Sequence, residues 1–282
     1  MIKIENTVTP SPEQWQATIR GTRNPMNSWG KSDSQFWPGH MRIGENDLDL
    51  MKRLIKAGTD HSKFMRFLPV MVDVTAPLYW WKEFDTYKVG TVANSCSTMH
   101  KIQAKEFVLD DFSCEHLDIR TKVLLEEIIK ALNDYRKLYI EYNPDDFEIK
   151  GCPSKKDIWW QMIQLLPSSY NQKRTVMLNY AVLRNIYHAR AGHKLDEWQQ
   201  FREWIETLPY SELITMDSVP KSNKDKIADL SEILKSDKLI REAFCGSVAS
   251  ALYEIPDGVD FSVQEIAERI TNRVVGDENG SN

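Results

Sequence analysis

Cysteine is scarce and nowhere paired in sequence. Cys96, Cys114, Cys152 and Cys245 are scattered over 282 residues with no C-x-x-C spacing. A structural zinc site or a redox dithiol would need that spacing, so no metal centre is expected. Long apolar runs are also missing. No stretch approaches the ~20 residues that cross a bilayer, and the opening MIKIENTVTP lacks the basic and then apolar make-up of a secretory signal. A basic excess is absent as well: 36 Lys and Arg stand against 41 Asp and Glu, a net charge of −5. Nucleic acid and membrane surfaces are therefore not expected partners, although a local basic pocket for a small anion is compatible with that balance. No internal repeat is visible. The expectation is a soluble cytoplasmic protein with reduced thiols.

What the chain does have is tryptophan, nine residues in all, with doublets at Trp80–Trp81 and Trp159–Trp160. These suit a core or a subunit interface. The stretch Asn179–His193, NYAVLRNIYHARAGH, stands out for its polar face. Read as a helix, it sets Leu178, Val182, Ile186 and Ala189 on one apolar side. Its other side carries Asn179, Asn185, His188, Arg190 and His193, with Arg184 nearby. Amides suit a ligand offering both donors and acceptors. A guanidinium suits a phosphate, because its planar fork donates two parallel hydrogen bonds. His188 reads as packing.

Around this stretch the pattern alternates helix and strand signals. Met1–Glu5 reads as an edge strand. Ser11 caps and Pro12 opens a helix to about Arg23. Residues 24–39 read as a loop, and Asn46 as the cap of a helix that ends at Gly58. Phe67–Val74 has strand composition, with Pro69 pointing to an edge or a bulge. Ala76-Pro77 starts a helix to about Thr86, and Val89–Met99 reads as a structured loop. A long helix spans Ile119 to about Tyr142, with Val123, Leu124, Ile128, Leu132, Tyr135 and Leu138 expected on its buried side. Ser154 caps a helix to Leu166, and another follows over Asp196–Thr207. Lys221–Asp229 reads as a linker before further helical stretches, and GDENGSN as a disordered tail. The expected division is a main domain over residues 1–220, a helical C-terminal extension over 221–275 and a tail over 276–282.

The order of these motifs resembles the flavin-dependent thymidylate synthases. TPSPE near the start, the block from His61 to Lys88 with Ala76-Pro77-Leu78-Tyr79, the LLP at Leu165–Pro167, and Asn179, Asn185 and Arg190 follow in the family's order over about Ile2–Pro209. The resemblance implies an α+β fold, a central sheet flanked by helices. It also implies FAD, NADPH and methylenetetrahydrofolate as the cofactor set, dUMP or a related pyrimidine nucleotide as the substrate, and a homo-oligomer, a tetramer. By that resemblance Arg190, Asn179, Ser97 and Lys88 face the nucleotide. His61, Tyr87, Lys88, Thr91, Asn94 and Asn185 face the flavin.

The chain departs from the family signature R-H-R-x-x-S-x-N-x-x-S-x-R. Its first three positions are Thr86, Tyr87 and Lys88, and its last is Met99. Ile163 and Ala181 replace two further arginines. Each lost guanidinium removes charge-assisted hydrogen bonds of roughly 1.5–3 kcal/mol, and Lys88 restores charge without the fork. Arg184, Lys173 and Arg174 are reserve cations for a phosphate. Glu83 and Asp85 put acid where a basic site would begin, and one of them is expected to face solvent. Cys96 reads as a small buried residue. The alternative is a repurposed nucleotide-binding or structural homologue without flavin.

Overall fold

A computed structural model of the chain describes residues 2–143 and 153–217. The linker, the helical extension and the tail lie outside the described residues. The chain folds as α+β. Four antiparallel strands form one sheet in the order β1-β4-β6-β5: β1 Lys3–Val8, β4 Pro69–Pro77, β6 Asn171–Asn179 and β5 Val92–Ser95. A separate hairpin joins β2 Gln35–Trp37 to β3 His40–Arg42. The helices are α1 Pro12–Arg23, α2 Glu45–Lys56, α3 Leu78–Phe84, α4 Ile119–Glu141, α5 Lys155–Leu165, α6 Tyr180–Ala189, α7 Asp196–Glu206 and α8 Glu212–Thr215.

The central pair is β4 with β6, in register from Pro69↔Asn179 to Pro77↔Asn171. Strand side chains alternate between faces, so Val70, Val72, Val74 and Ala76 share a side with Val176 and Leu178. All six are buried against the helices, in a core that includes Trp15, Met51, Trp80, Trp81, Trp198 and Phe201. The first tryptophan doublet is thus wholly core. Pro69 is not at an edge. It is the first residue of a central strand, where a missing N–H costs least. On the opposite face Asp73 accepts from Thr175, Asn6 and Lys173, which together hold its carboxyl down at about 2.

Local signals set several helices. Ser11 and Gln14 form a capping box at α1, and Ser154 and Asp157 form one at α5. α2 differs from expectation. Its cap position is Gly44, and Asp33 from the preceding loop accepts the N–H groups of Asn46 and Asp47. A side chain from elsewhere satisfies the helix start, so Asn46 need not. α4 is also rotated from expectation. Leu125, Ile129 and Leu132 are buried against α5, Phe107 and Phe112. Val123, Leu124 and Leu138 are exposed in the single chain. The helix is apolar around much of its circumference, so periodicity left its phase undetermined.

Two loop assignments also change. Residues 24–39 include β2, and Val89–Met99 includes β5, an edge strand exposed along its whole length. Cys96, just beyond it, is exposed rather than buried.

One buried ion pair ties α1 to α2. Arg23 and Asp47 are 4% and 2% exposed, and Arg23 Nε donates to Asp47 Oδ1 at 2.5 Å. Asp47 Oδ2 accepts from the hydroxyls of Ser32 and Ser34 and from the N–H groups of Asp33 and Ser34. Burial alone would raise the Asp47 carboxyl, but the bonds from Ser34, Ser32 and Arg23 outweigh it and hold it below its ordinary range. Its contribution to stability is therefore present above the ordinary Asp value of ~3.9 and is lost as pH falls through the depressed value. Urea midpoints measured across the acid range should fall more steeply for the wild type than for Asp47→Asn. Replacing Arg23 with Met should cost about 3–5 kcal/mol, because a buried carboxylate loses its cation.

Candidate functional site

The Asn179–His193 stretch divides between two elements. Asn179 ends β6 and caps α6, its Oδ1 accepting from Val182 N–H at 3.1 Å. Because the helix begins at Tyr180, its buried side is Tyr180, Leu183 and Ile186. Val182 is half-buried and Ala189 exposed. Leu178 belongs to the strand. His188 packs as expected, with Nε2 3.2 Å from the carbonyl of Ile214.

α3 and α6 leave opposite ends of the β4–β6 ladder and bring their C-terminal ends together. Glu83 lies near the end of α3 and Arg190 caps the end of α6. Their ion pair is 3.0 Å, from Arg190 Nη1 to Glu83 Oε2. The same oxygen accepts from Trp198 Nε1 at 2.9 Å and lies 3.2 Å from His193 Nε2. Arg190 Nε donates to the Tyr87 hydroxyl at 2.8 Å, and the guanidinium lies 4.6 Å from the Trp198 ring centre. Helix C-termini carry partial negative charge. A cation is favoured there and a carboxylate is not, and the three donors on one Glu83 oxygen offset that cost.

Of the two acids, Asp85 is exposed as expected and Glu83 is half-buried. Asp85 pairs with Arg174 at 2.8 Å. The reserve cations are likewise engaged. Lys173 pairs with Asp73 at 3.1 Å, and Arg184 donates to the carbonyls of Ile214 and Met216. Lys173 and Arg174 both lie in β6.

The loop after α3 closes on the start of α6. Gly90 has φ +81°, and a Cβ there would come 3.1 Å from Asn179 Nδ2 and 3.2 Å from Val182. A side chain there would be strained at that φ and would press on both neighbours. Thr91 Oγ1 is buried without a hydrogen-bond partner. Thus the residue 87–91 loop runs along α6, with Gly90 against Asn179 and Val182 at its start and Tyr87 on Arg190 at its end. Ser97 is exposed further along, its hydroxyl accepting from His100 N–H. His61, Lys88, Asn94 and Asn185 are also exposed, on four different segments. No group of His, Cys, Asp and Glu among the described residues could hold a metal ion.

No known protein-family model matches the chain, and no curated protein matches it by sequence. Solved structures do match. A crystal structure of thymidylate synthase X from Helicobacter pylori with FAD and dUMP has a TM-score of 0.53 at 14% identity, over 77% of this chain and 97% of that one. A second structure of the flavin-dependent enzyme from the same organism, with the same ligands, gives 0.49 at 16% identity over the same shares. The fold is that of thymidylate synthase X. At this identity the first match shows the fold alone.

Sequence reasoning missed Glu83 as the partner of Arg190 and gave Gly90 and Trp198 no role in the site. A carboxylate one helix turn before Tyr87 was the available signal, but its partner is 107 residues away. One consequence concerns His193. Its Nδ1 accepts from Leu195 N–H at 3.2 Å, which leaves Nε2 to carry the proton toward Glu83. Nitrogen-15 NMR at neutral pH should show the Nε2–H tautomer for this ring; an Nδ1–H form would contradict the arrangement.

Proposed function

We propose that this chain is a divergent flavin-dependent thymidylate synthase-like enzyme that methylates a pyrimidine nucleotide, dUMP or a close relative, along the side of α6 that the residue 87–91 loop covers, with Asn179 at one end and Tyr87 and Arg190 at the other. The observation that carries the reading is the packing of this loop along α6. On a fold shared with thymidylate synthase X, the loop that replaces the signature closes on α6 beside Arg190. The H. pylori enzyme was solved with FAD and dUMP. NADPH as reductant and methylenetetrahydrofolate as one-carbon donor complete the proposed reaction.

The residues present fit a flavin at the level of donors and acceptors. Thr91 offers a buried hydroxyl with no internal partner. His61, Asn94 and Asn185 are exposed amide and imidazole groups, and Lys88 is an exposed cation. When bound, the flavin supplies the hydride, and the protein supplies orientation and electrostatics. In this reading Arg190 holds the nucleotide phosphate. The Tyr87 hydroxyl, whose oxygen accepts from Arg190, keeps its own proton to donate. Asn179 keeps its amide N–H groups, because only its carbonyl caps α6.

Glu83 changes the energetics of that grip. A phosphate must compete with a carboxylate already on Arg190. Titration calorimetry with dUMP should show Arg190→Ala losing about 2–4 kcal/mol of binding. Glu83→Gln should instead bind more tightly than the wild type. No binding by any of the three proteins would remove the nucleotide. Purified protein should be yellow or should take up added FAD. A colourless protein that binds dUMP but no FAD supports the second reading, a nucleotide-binding homologue without flavin. The loss of the signature's Arg-His-Arg run, here Thr86, Tyr87 and Lys88, favours that alternative.

A homo-oligomer, a tetramer, belongs to the same proposal. Ile119, Val123, Leu124 and Leu138 line α4 exposed, and Val8, Met71, Met177 and Val92 form a cross-strand row on the sheet face opposite the core. Contiguous exposed apolar surface marks contact with another surface. Light scattering at micromolar concentration should give a multiple of the 32.8 kDa chain; a monomer mass would count against it.

A further inference from the structure

The turn that joins α6 to α7 is closed by hydrogen bonds of two kinds. His193 N–H donates to the Arg190 carbonyl at 3.3 Å, and Gln199 Nε2 donates to the carbonyls of Arg190 and His193 at 3.4 and 3.3 Å. These join amides, which do not titrate. Leu195 N–H instead donates to an imidazole nitrogen, His193 Nδ1, at 3.2 Å. Leu195 is the cap residue of α7, and its side chain supplies no cap. The titratable bond therefore sits where that helix begins.

The same ring faces the Glu83–Arg190 cluster through its other nitrogen, with Nε2 3.2 Å from Glu83 Oε2. The charged and titratable groups of that cluster are Glu83 from α3, Arg190 from the end of α6 and Tyr87 from the loop after α3. α7 presents Trp198, whose Nε1 donates to the same Glu83 oxygen, and Gln199. A neutral imidazole satisfies both of its contacts, donating from Nε2 and accepting at Nδ1. An imidazolium donates from both nitrogens and accepts at neither. The added proton goes to Nδ1, where it meets the Leu195 N–H. The two contacts thus respond in opposite directions: the one to Glu83 becomes a full ion pair, and the one to Leu195 is lost. The His193 side chain is 24% exposed, so the proton reaches it from solvent. With a neutral ring, the charges of Glu83 and Arg190 cancel; an imidazolium leaves about one net positive charge.

We propose that His193 is a pH-sensitive latch between the α6–α7 turn and the Glu83–Arg190 cluster. With the ring neutral, it bridges Glu83 and Leu195. As pH falls through the range in which histidine takes up its proton, the latch releases Leu195 and tightens on Glu83. The cluster gains positive charge in the same step that loosens the start of α7. Every group in this device belongs to the chain itself, so it operates whatever ligand the cluster takes.

Nitrogen-15 NMR of the full chain, titrated from pH 8 to pH 5, tests the latch. The His193 ring nitrogens and the Leu195 amide should shift with one common midpoint. Below it, exchange of the Leu195 amide, corrected for its intrinsic pH dependence, should become roughly fivefold or more faster. The Arg190 amide, bonded to the Ile186 carbonyl within the helix, should keep its protection through the same range. His193→Gln should remove the Leu195 transition. A Leu195 amide that stays unchanged while His193 titrates overturns the proposal, as does a ring that remains neutral down to pH 5. A Leu195 transition that persists in His193→Gln assigns it to another group and overturns the proposal equally. If that variant does not fold, the wild-type titration decides alone.

Discussion

The nine-residue ladder between β4 and β6 is the constraint from which the rest follows. Its register assigns the even-numbered residues of both strands to the core. It also fixes where two helices begin, because α3 continues from Pro77 and α6 from Asn179, at opposite ends. A strand of nine residues spans roughly 27–30 Å. Helices of seven and ten residues span about 10 and 15 Å. Launched from opposite ends and turned back toward each other, they nearly exhaust that length, and their last turns meet. Glu83 and Arg190 touch because the strands and helices have these lengths. A one-residue slip of the ladder would expose Val72 and Val176 and separate the pair.

Charge balance at this meeting point differs from that of an empty anion site. Every guanidinium considered for a phosphate already has an internal oxygen partner: Arg190 on Glu83, Arg174 on Asp85, Arg184 on two carbonyls. Such pairs hold side chains in place before a ligand arrives. They also lower the net gain when it does, since one partner must be released for each one acquired. Affinity at this site therefore depends on differences between carboxylate and ligand, not on the number of cations nearby.

Elements with local signals were legible in the sequence. Ser11 and Pro12 specify the start of α1, and Ser154 with Asp157 that of α5, because cap and capped amide lie within three residues. Features decided at long range were not. The start of α2 is satisfied by Asp33, which no capping rule reads. The phase of α4 depends on which flank α5 covers. At the site, the motif order pointed to Arg190, Asn179 and the residue 88–97 loop, and the fold sets Tyr87 on Arg190 at one end of α6 and Gly90 on Asn179 at the other. It leaves His61, Asn94, Ser97 and Asn185 on exposed segments. The role of Glu83 was hidden, since a lone Glu in a short helix carries no sign of what it faces 107 residues later.

The clamp at the end of α6 has a dynamic consequence. Arg184 and His188, one turn apart on the helix, both bind the Ile214 carbonyl, and Arg184 reaches Met216 as well. α8 is only four residues long and could not persist on its own turns. Bound in this way, it shares its opening free energy with α6. Amides on the two helices then belong to a single cooperative unit in hydrogen exchange, and the short helix reports the stability of the long one.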